Sequence, residues 1–267
     1  MAKQMQIQIQ GYQVLDTIYD GARTLVCRGY QESNQRPVVI KLLKSPYPSF
    51  TELVQFKNQY TLMRQLHLPG VVRPYSLEPY QNGFALVMED FGGISLRDYW
   101  ANKQAKCQDD LTEFLQIAIA LAEILDQLYR HRIIHKDIKP ANILINPVTK
   151  QVKLIDFSLA SQLPRETQSL VSPNVLEGTL AYLSPEQTGR MNRGIDYRTD
   201  FYSLGITCFE LLTGQLPFDS NDPMELVHCH IAKQPPTVEQ LNCRSSSAVF
   251  GLASIAMILD CLKCLAR

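Results

Sequence analysis

Apolar positions change their period several times along this chain, and each change marks an element. From Tyr12 to Tyr30 and from Pro37 to Lys44, β-branched and apolar residues run in short stretches broken by polar turns such as Glu32-Ser33-Asn34-Gln35, which predicts strands. Between Phe50 and Leu66 the period lengthens. Leu53, Phe56, Tyr60 and Met63 recur in steps of three, four and three, which places them on one face of a helix. Phe84 to Met88 is a short apolar run before Gly92-Gly93, a buried strand that stops at a turn. Leu111 to Arg130 predicts a long amphipathic helix with Leu111, Phe114, Leu115, Ala118, Leu121, Ala122, Leu125 and Leu128 on one side. Val152 to Ile155 is short enough for a buried strand. The most hydrophobic segment, Ala248 to Leu259, contains Gly251 and Ser254 and falls short of the ~20 residues that cross a bilayer, so it is read as a packed helix.

Composition narrows the class. At 267 residues and 45% apolar content the chain can bury a sizeable core, and no repeat or low-complexity linker divides it. Its 26 basic and 26 acidic side chains cancel, and without a basic block neither nucleic acid nor an anionic membrane is an expected partner. Seven scattered cysteines and no amino-terminal secretion signal suit a reducing cytoplasm. Cys261-Leu262-Lys263-Cys264 lacks a second ligand pair for zinc, and His228 and His230 would point about 200° apart on a helix, too far to share an ion.

The chemistry lies in His135-Lys136-Asp137-Ile138-Lys139-Pro140-Ala141-Asn142, followed after a short turn by Leu154-Ile155-Asp156-Phe157. Phosphoryl transfer needs a carboxylate to orient the attacking hydroxyl, cations for the charge gathering on the γ-phosphate, and oxygen ligands for Mg²⁺. Asp137 is the expected carboxylate. Lys139 would share its face of the loop and reach the γ-phosphate of ATP, while Asn142 and Asp156 would supply hard oxygen to Mg²⁺.

On these residues the chain resembles a eukaryotic-type Ser/Thr protein kinase domain, from about Tyr12 to about Pro236. The stretch Glu177-Gly178-Thr179-Leu180-Ala181-Tyr182-Leu183-Ser184-Pro185-Glu186-Gln187-Thr188-Gly189-Arg190-Met191-Asn192-Arg193 resembles the kinase module that opens cyanobacterial-type multi-sensor signalling proteins. The resemblance implies an α+β, bilobal protein-kinase-like fold. Its small lobe, residues 1–90, would be an antiparallel sheet with one helix, and its large lobe, residues 91–240, mainly helical. Residues 241–267 depart from the family pattern and read as an atypical tail, truncated or frameshifted.

The resemblance also assigns roles. Lys41, closing Val38-Val39-Ile40-Lys41, would grip the ATP phosphates. Gly21 is the one glycine kept in the Gly-rich loop, and Val26 would cover adenine. Met88 would fill the rear of the pocket, and the backbones of Glu89 and Phe91 would read the adenine edge. His135 would be a packing post, and Asp200 an anchor accepting backbone N–H groups from the catalytic loop. Glu186 normally pairs with a later Arg that the tail does not provide, which would leave it partnerless and apolar surface exposed unless the tail covers the same ground. Thr179 would bond the catalytic Asp and Lys and favour an aliphatic hydroxyl acceptor. Thr167, Ser169 and Ser172 are loop hydroxyls open to phosphate.

Four departures bear on rate and control. Gln59 stands where the family has the Glu that pairs with the strand lysine, and Glu52 lies seven residues earlier, about 10 Å along the axis at ~1.5 Å per residue. Exchanging a charge-assisted bond for a neutral one forfeits about 1.5–3 kcal/mol, or about ten- to a hundredfold in rate. Tyr19 and Thr24 replace outer glycines of the phosphate loop. Lys136 replaces an Arg and loses its two-pronged grip on a phosphorylated loop, and Ser158 replaces a pivot Gly. The expected function is transfer of the ATP γ-phosphoryl group to Ser/Thr hydroxyls of protein substrates, with weakened activity, alongside separate sensor or histidine-kinase proteins. An ATP-binding pseudokinase or regulatory scaffold stays open as the alternative.

Overall fold

In the computed structural model, which describes residues 7–105, 111–162, 180–190 and 194–236, contacts divide the chain into two units. One is Met1–Gly93 with Ile155–Ser158; the other is Ile94–Leu154 with Leu159–Arg267. Thr167, Ser169, Ser172, Thr179, Cys261, Cys264 and the tail from 241 to 267 lie outside the described residues.

Alternation builds the first unit. Strands β1 (Tyr12–Asp20), β2 (Thr24–Gln31), β3 (Arg36–Leu43), β4 (Pro74–Tyr80) and β5 (Gly83–Glu89) form an antiparallel sheet ordered β1-β2-β3-β5-β4. The two-residue period of β3 sends Val38, Ile40 and Leu42 to one face, where they bury with Ala85, Val87 and Ile9. Lys41 therefore points to the other face, between its cross-strand neighbours Val26 and Leu86. Left-handed residues close two hairpins, Gln35 at φ 54° and Gln81 at φ 50°.

Helix α1 (Phe50–Gln65) begins where Ser49 and Glu52 cap each other, and it packs on β4 and β5. The Ser49 N–H donates to Glu52 Oε2 at 2.8 Å, a bond that holds the Glu52 carboxyl below its usual range. Glu52 is thus committed to the cap. Phe56, Gln59, Leu62 and Met63 are the buried residues of this helix, whereas Leu53 and Tyr60 are only half-buried.

In the second unit, α2 (Leu96–Ala105), α3 (Leu111–Arg130), α4 (Arg198–Thr213) and α5 (Pro223–Ala232) dominate. Strands β6 (Ile94–Ser95), β7 (Ile133–Ile134), β8 (Ile143–Ile145), β9 (Val152–Leu154) and β10 (Ser161–Gln162) are short; β6-β8-β9 form one sheet and β7-β10 another. Strands β6 and β8 contact the turn at 140–142 in the loop that follows β7. This is the α+β arrangement expected from the sequence. No helix among the described residues is long and apolar enough to cross a membrane.

The buried face of α3 is rotated from the one expected. Phe114, Ile117, Leu121, Ile124, Leu125 and Leu128 are buried, while Leu111 and Leu115 are exposed. At about 100° per residue the buried set centres on the line through 114, 117, 121 and 128, and Leu111 and Leu115 fall outside it. Glu113 is on the buried side as well. Its carboxylate is paired with Lys103 and, at 2.8 Å, with Lys150, and it accepts the Tyr99 hydroxyl.

On α5 the two imidazoles part, His228 exposed and His230 buried. The His230 ring meets the Tyr202 hydroxyl at 2.9 Å and the edge of Phe218. Burial pushes its pKa down to about 4 from 6.5. Between those values the unfolded chain binds a proton that the folded one refuses, so stability contributed by the neutral ring is present above 6.5 and lost as pH falls towards 4. Urea denaturation at pH 7 and pH 5 should show wild type losing about 2 kcal/mol more than His230→Gln over that interval. Equal losses in the two proteins would place the ring's pKa near its ordinary value.

Candidate active site

A buried carboxylate at the start of α4 shapes the loop after β7. Asp200 accepts the His135 N–H on Oδ2 and the Lys136 N–H on Oδ1, both at 2.7 Å. Burial pushes its pKa up, the effect opposed by His135 and Lys136. Held this way, Lys136 takes a left-handed φ of 67°, which reverses the chain and turns Asp137 inward. Burial also pushes the Lys136 ammonium down to about 8, with Asp200 acting in the opposite sense. His135 is fully buried, and its Nδ1 accepts the Asp137 N–H at 3.3 Å.

Asp137 is surrounded by donors. Lys139 Nζ lies 3.0 Å from its Oδ1 and 2.8 Å from its Oδ2, and Asn142 Nδ2 donates to Oδ2 at 2.7 Å and to the Asp137 carbonyl at 2.9 Å. The 3₁₀ turn Pro140–Asn142, entered through a Pro that fixes φ, brings Asn142 back to this position. Oδ1 carries one of these bonds and keeps a lone pair for a further donor. With its nitrogen on Asp137, the Asn142 amide presents its oxygen on the opposite branch, the hard donor that Mg²⁺ takes.

Glu186 is buried, and among the described residues the Thr199 hydroxyl donates to its Oε1 at 2.6 Å; the tail from which an Arg partner would come lies outside them. Thr199 sits one residue before Asp200, so the first turn of α4 serves both carboxylates. Neighbouring residues in a helix diverge by about 100°, which sequence spacing alone does not turn into a contact.

In the first unit Lys41 is the centre. Its ammonium donates to Gln59 Oε1 at 3.2 Å and pairs with Asp156 Oδ1 at 3.0 Å. Gln59 thus occupies the place from which the family's Glu would act, with a neutral oxygen. Asp156 itself is left-handed, φ 63°, and Ser158 is not among the positive-φ residues. Asp is a residue type whose short polar side chain tolerates that conformation.

Val26 lies directly across the ladder from Lys41, and Gly21 closes the β1–β2 turn through its N–H to the Thr24 carbonyl at 3.0 Å. The Tyr19 ring lies against Gly21. Met88 is buried at the end of β5. Glu89 has its N–H on the Arg73 carbonyl at 3.0 Å and its carboxylate on the Arg73 N–H at 2.8 Å, and the Phe91 ring covers Gly93.

Two polar residues carry structure that motif reading missed. Asp90 fixes the end of this strand, pairing with Arg28 at 2.9 Å and accepting the Gly92 N–H at 2.9 Å, where Gly92 has φ 72°. An Asp two residues before a glycine is the signal that could have found it. Gln187 donates to the Lys136 carbonyl at 3.0 Å. No local pattern points there, because the two are far apart in sequence.

This geometry agrees with comparison to known proteins. A protein kinase domain model matches residues 12–260, and by a match of that extent the chain belongs to the protein kinase family. Members of that family use ATP and Mg²⁺. The chain is 32% identical over 233 residues to the probable serine/threonine-protein kinase PknB of Lactococcus lactis, covering 86% of this chain and 36% of that protein. It is 32% identical over 235 residues to the serine/threonine-protein kinase PrkC of Bacillus subtilis, covering 86% and 35%. To the serine/threonine-protein kinase PknB of Mycobacterium tuberculosis it is 30% identical over 207 residues, covering 75% and 32%. The chain spans about a third of the length of these relatives.

Asp200→Ala strands one buried and one half-buried N–H group and should lower the unfolding free energy by about 3 kcal/mol. Urea denaturation read at the single tryptophan, Trp100, measures this. A loss under about 1 kcal/mol would mean that the loop is held by other contacts.

Proposed function

We propose that this chain transfers the γ-phosphoryl group of ATP to Ser/Thr hydroxyls of protein substrates, at a rate reduced by the neutral partner of Lys41. The observation that carries the proposal is the Asp137 carboxylate, with Lys139 and Asn142 donating to it and an acceptor position left on Oδ1. Asp137 orients the substrate hydroxyl and takes its proton. Lys139, beside it, supplies positive charge where the phosphoryl group departs from ATP. Lys41 holds the phosphates, Val26 and Met88 enclose adenine, and the Glu89 and Phe91 backbones read its edge. Asn142 and Asp156 would hold Mg²⁺, which supplies charge neutralisation on the phosphate oxygens. Thr179 favours an aliphatic hydroxyl as acceptor.

Gln59 is the reason for reduced turnover. An ammonium shared between a carboxylate and a neutral amide is less firmly oriented than one between two carboxylates. The same observation supports the second reading, an ATP-binding pseudokinase or scaffold in which Lys41 and Asp156 retain nucleotide without transfer. Balanced charge and scattered cysteines favour a place in the cytoplasm, with separate sensor or histidine-kinase proteins as partners, as the likeness to multi-sensor kinases suggests.

Radiolabelled Mg-ATP with a generic protein acceptor separates the two readings. Wild type should label the acceptor on Ser and Thr, and Asp137→Asn should reduce labelling at least about a hundredfold. ATP binding with no labelling above the Asp137→Asn level would establish the pseudokinase. In the active protein, Gln59→Glu should raise kcat/KM about tenfold, and an unchanged rate would show that Lys41 is oriented without help from position 59.

A further inference from the structure

The peptide bond that carries Asp137 is held at both ends, at one of them from outside the catalytic loop. Its nitrogen end gives the Asp137 N–H to His135 Nδ1 over 3.3 Å, a long bond. Its carbonyl end, on Lys136, accepts Gln187 Nε2 at 3.0 Å. Lys136 is left-handed at φ 67°, so this plane belongs to a conformation the chain holds only under constraint.

The Gln187 amide is itself held. Its Oε1 accepts the Ser184 N–H at 3.0 Å, with the Ser184 hydroxyl 3.1 Å away, and this assigns Nε2 to the Lys136 carbonyl. The side chain is buried in the 3₁₀ turn Pro185–Thr188. Asp200 fixes the peptide on the other side of Lys136 through the Lys136 N–H at 2.7 Å. Residue 136 is therefore clamped at both ends, from α4 and from the turn at 185–188.

We propose that Gln187 is a positioning residue for Asp137. By donating to the Lys136 carbonyl it sets the peptide plane from which the Asp137 carboxylate projects, and so ties the orientation of that carboxylate to the segment Ser184–Thr188. This rests on the phosphoryl-transfer reading. Gln187 touches neither substrate nor nucleotide in it, and its loss acts on turnover rather than on binding.

The decisive variant is Gln187→Glu. It keeps an oxygen for the Ser184 N–H and replaces the donor facing the Lys136 carbonyl by an acceptor. Steady-state kinetics with Mg-ATP and a generic protein acceptor should show kcat lower by about tenfold or more, with both KM values within about twofold of wild type. The ratio of variant to wild-type kcat should rise as pH is lowered, because protonating the introduced carboxyl restores a donor. Ser184→Ala, which leaves the Gln187–Lys136 bond and the backbone donor in place, should keep kcat within about twofold. Gln187→Met, similar in volume and without a donor, should repeat the loss of kcat if the buried acid prevents folding.

Wild-type kcat in Gln187→Glu would overturn the proposal, as would a deficit that Ser184→Ala matches or that pH does not change. Equal labelling by wild type and Asp137→Asn would instead remove the transfer reading, and this inference with it.

Discussion

A carboxylate withdrawn from water at the first turn of α4 is the constraint on which the loop depends. Asp200 could not stay ionised there without compensation, since burial raises its pKa. Two short N–H bonds from consecutive peptides, and the favourable end of the α4 dipole, provide that compensation. Directly after these two anchored N–H groups the chain turns through the left-handed Lys136. Asp137, Lys139 and Asn142 gather on the far side of that bend. Strain, buried charge and the acceptor for a hydroxyl are one arrangement.

Charge is distributed differently around Lys41. The ammonium is buried, and burial demands negative partners. Asp156 is one; Gln59 offers only a dipole. A buried lysine with a carboxylate and an amide as partners is held less firmly than one between two carboxylates. Glu52 cannot make up the difference, because the helix cap uses it.

The loop geometry and the family membership point to the same residues. The family match follows from the order of residues along the chain, whereas the hydrogen bonds around Asp137 follow from side-chain placement. Gln59 and Gln187 matter because each stands within such a network: one amide replaces a charge, the other fixes a peptide plane.

Local order decided much of this protein. Strand alternation around Val38–Leu42, the ends of α1 and α3, and the loop from His135 to Asn142 are all properties of neighbouring residues, and periodicity or motif spacing registers them. Which side of α3 is buried was not legible, since Leu111 and Leu115 are as apolar as Ile117 and Ile124 and only the surrounding elements choose between them. The Thr199 partner of Glu186, the left-handed backbone at Asp156, and the reach of Gln187 to Lys136 were likewise settled by folding. Sequence carries the period of a helix and the identity of a side chain. Contacts between residues tens of positions apart depend on how the intervening chain closes, and that is fixed only when burial and hydrogen bonding are satisfied together.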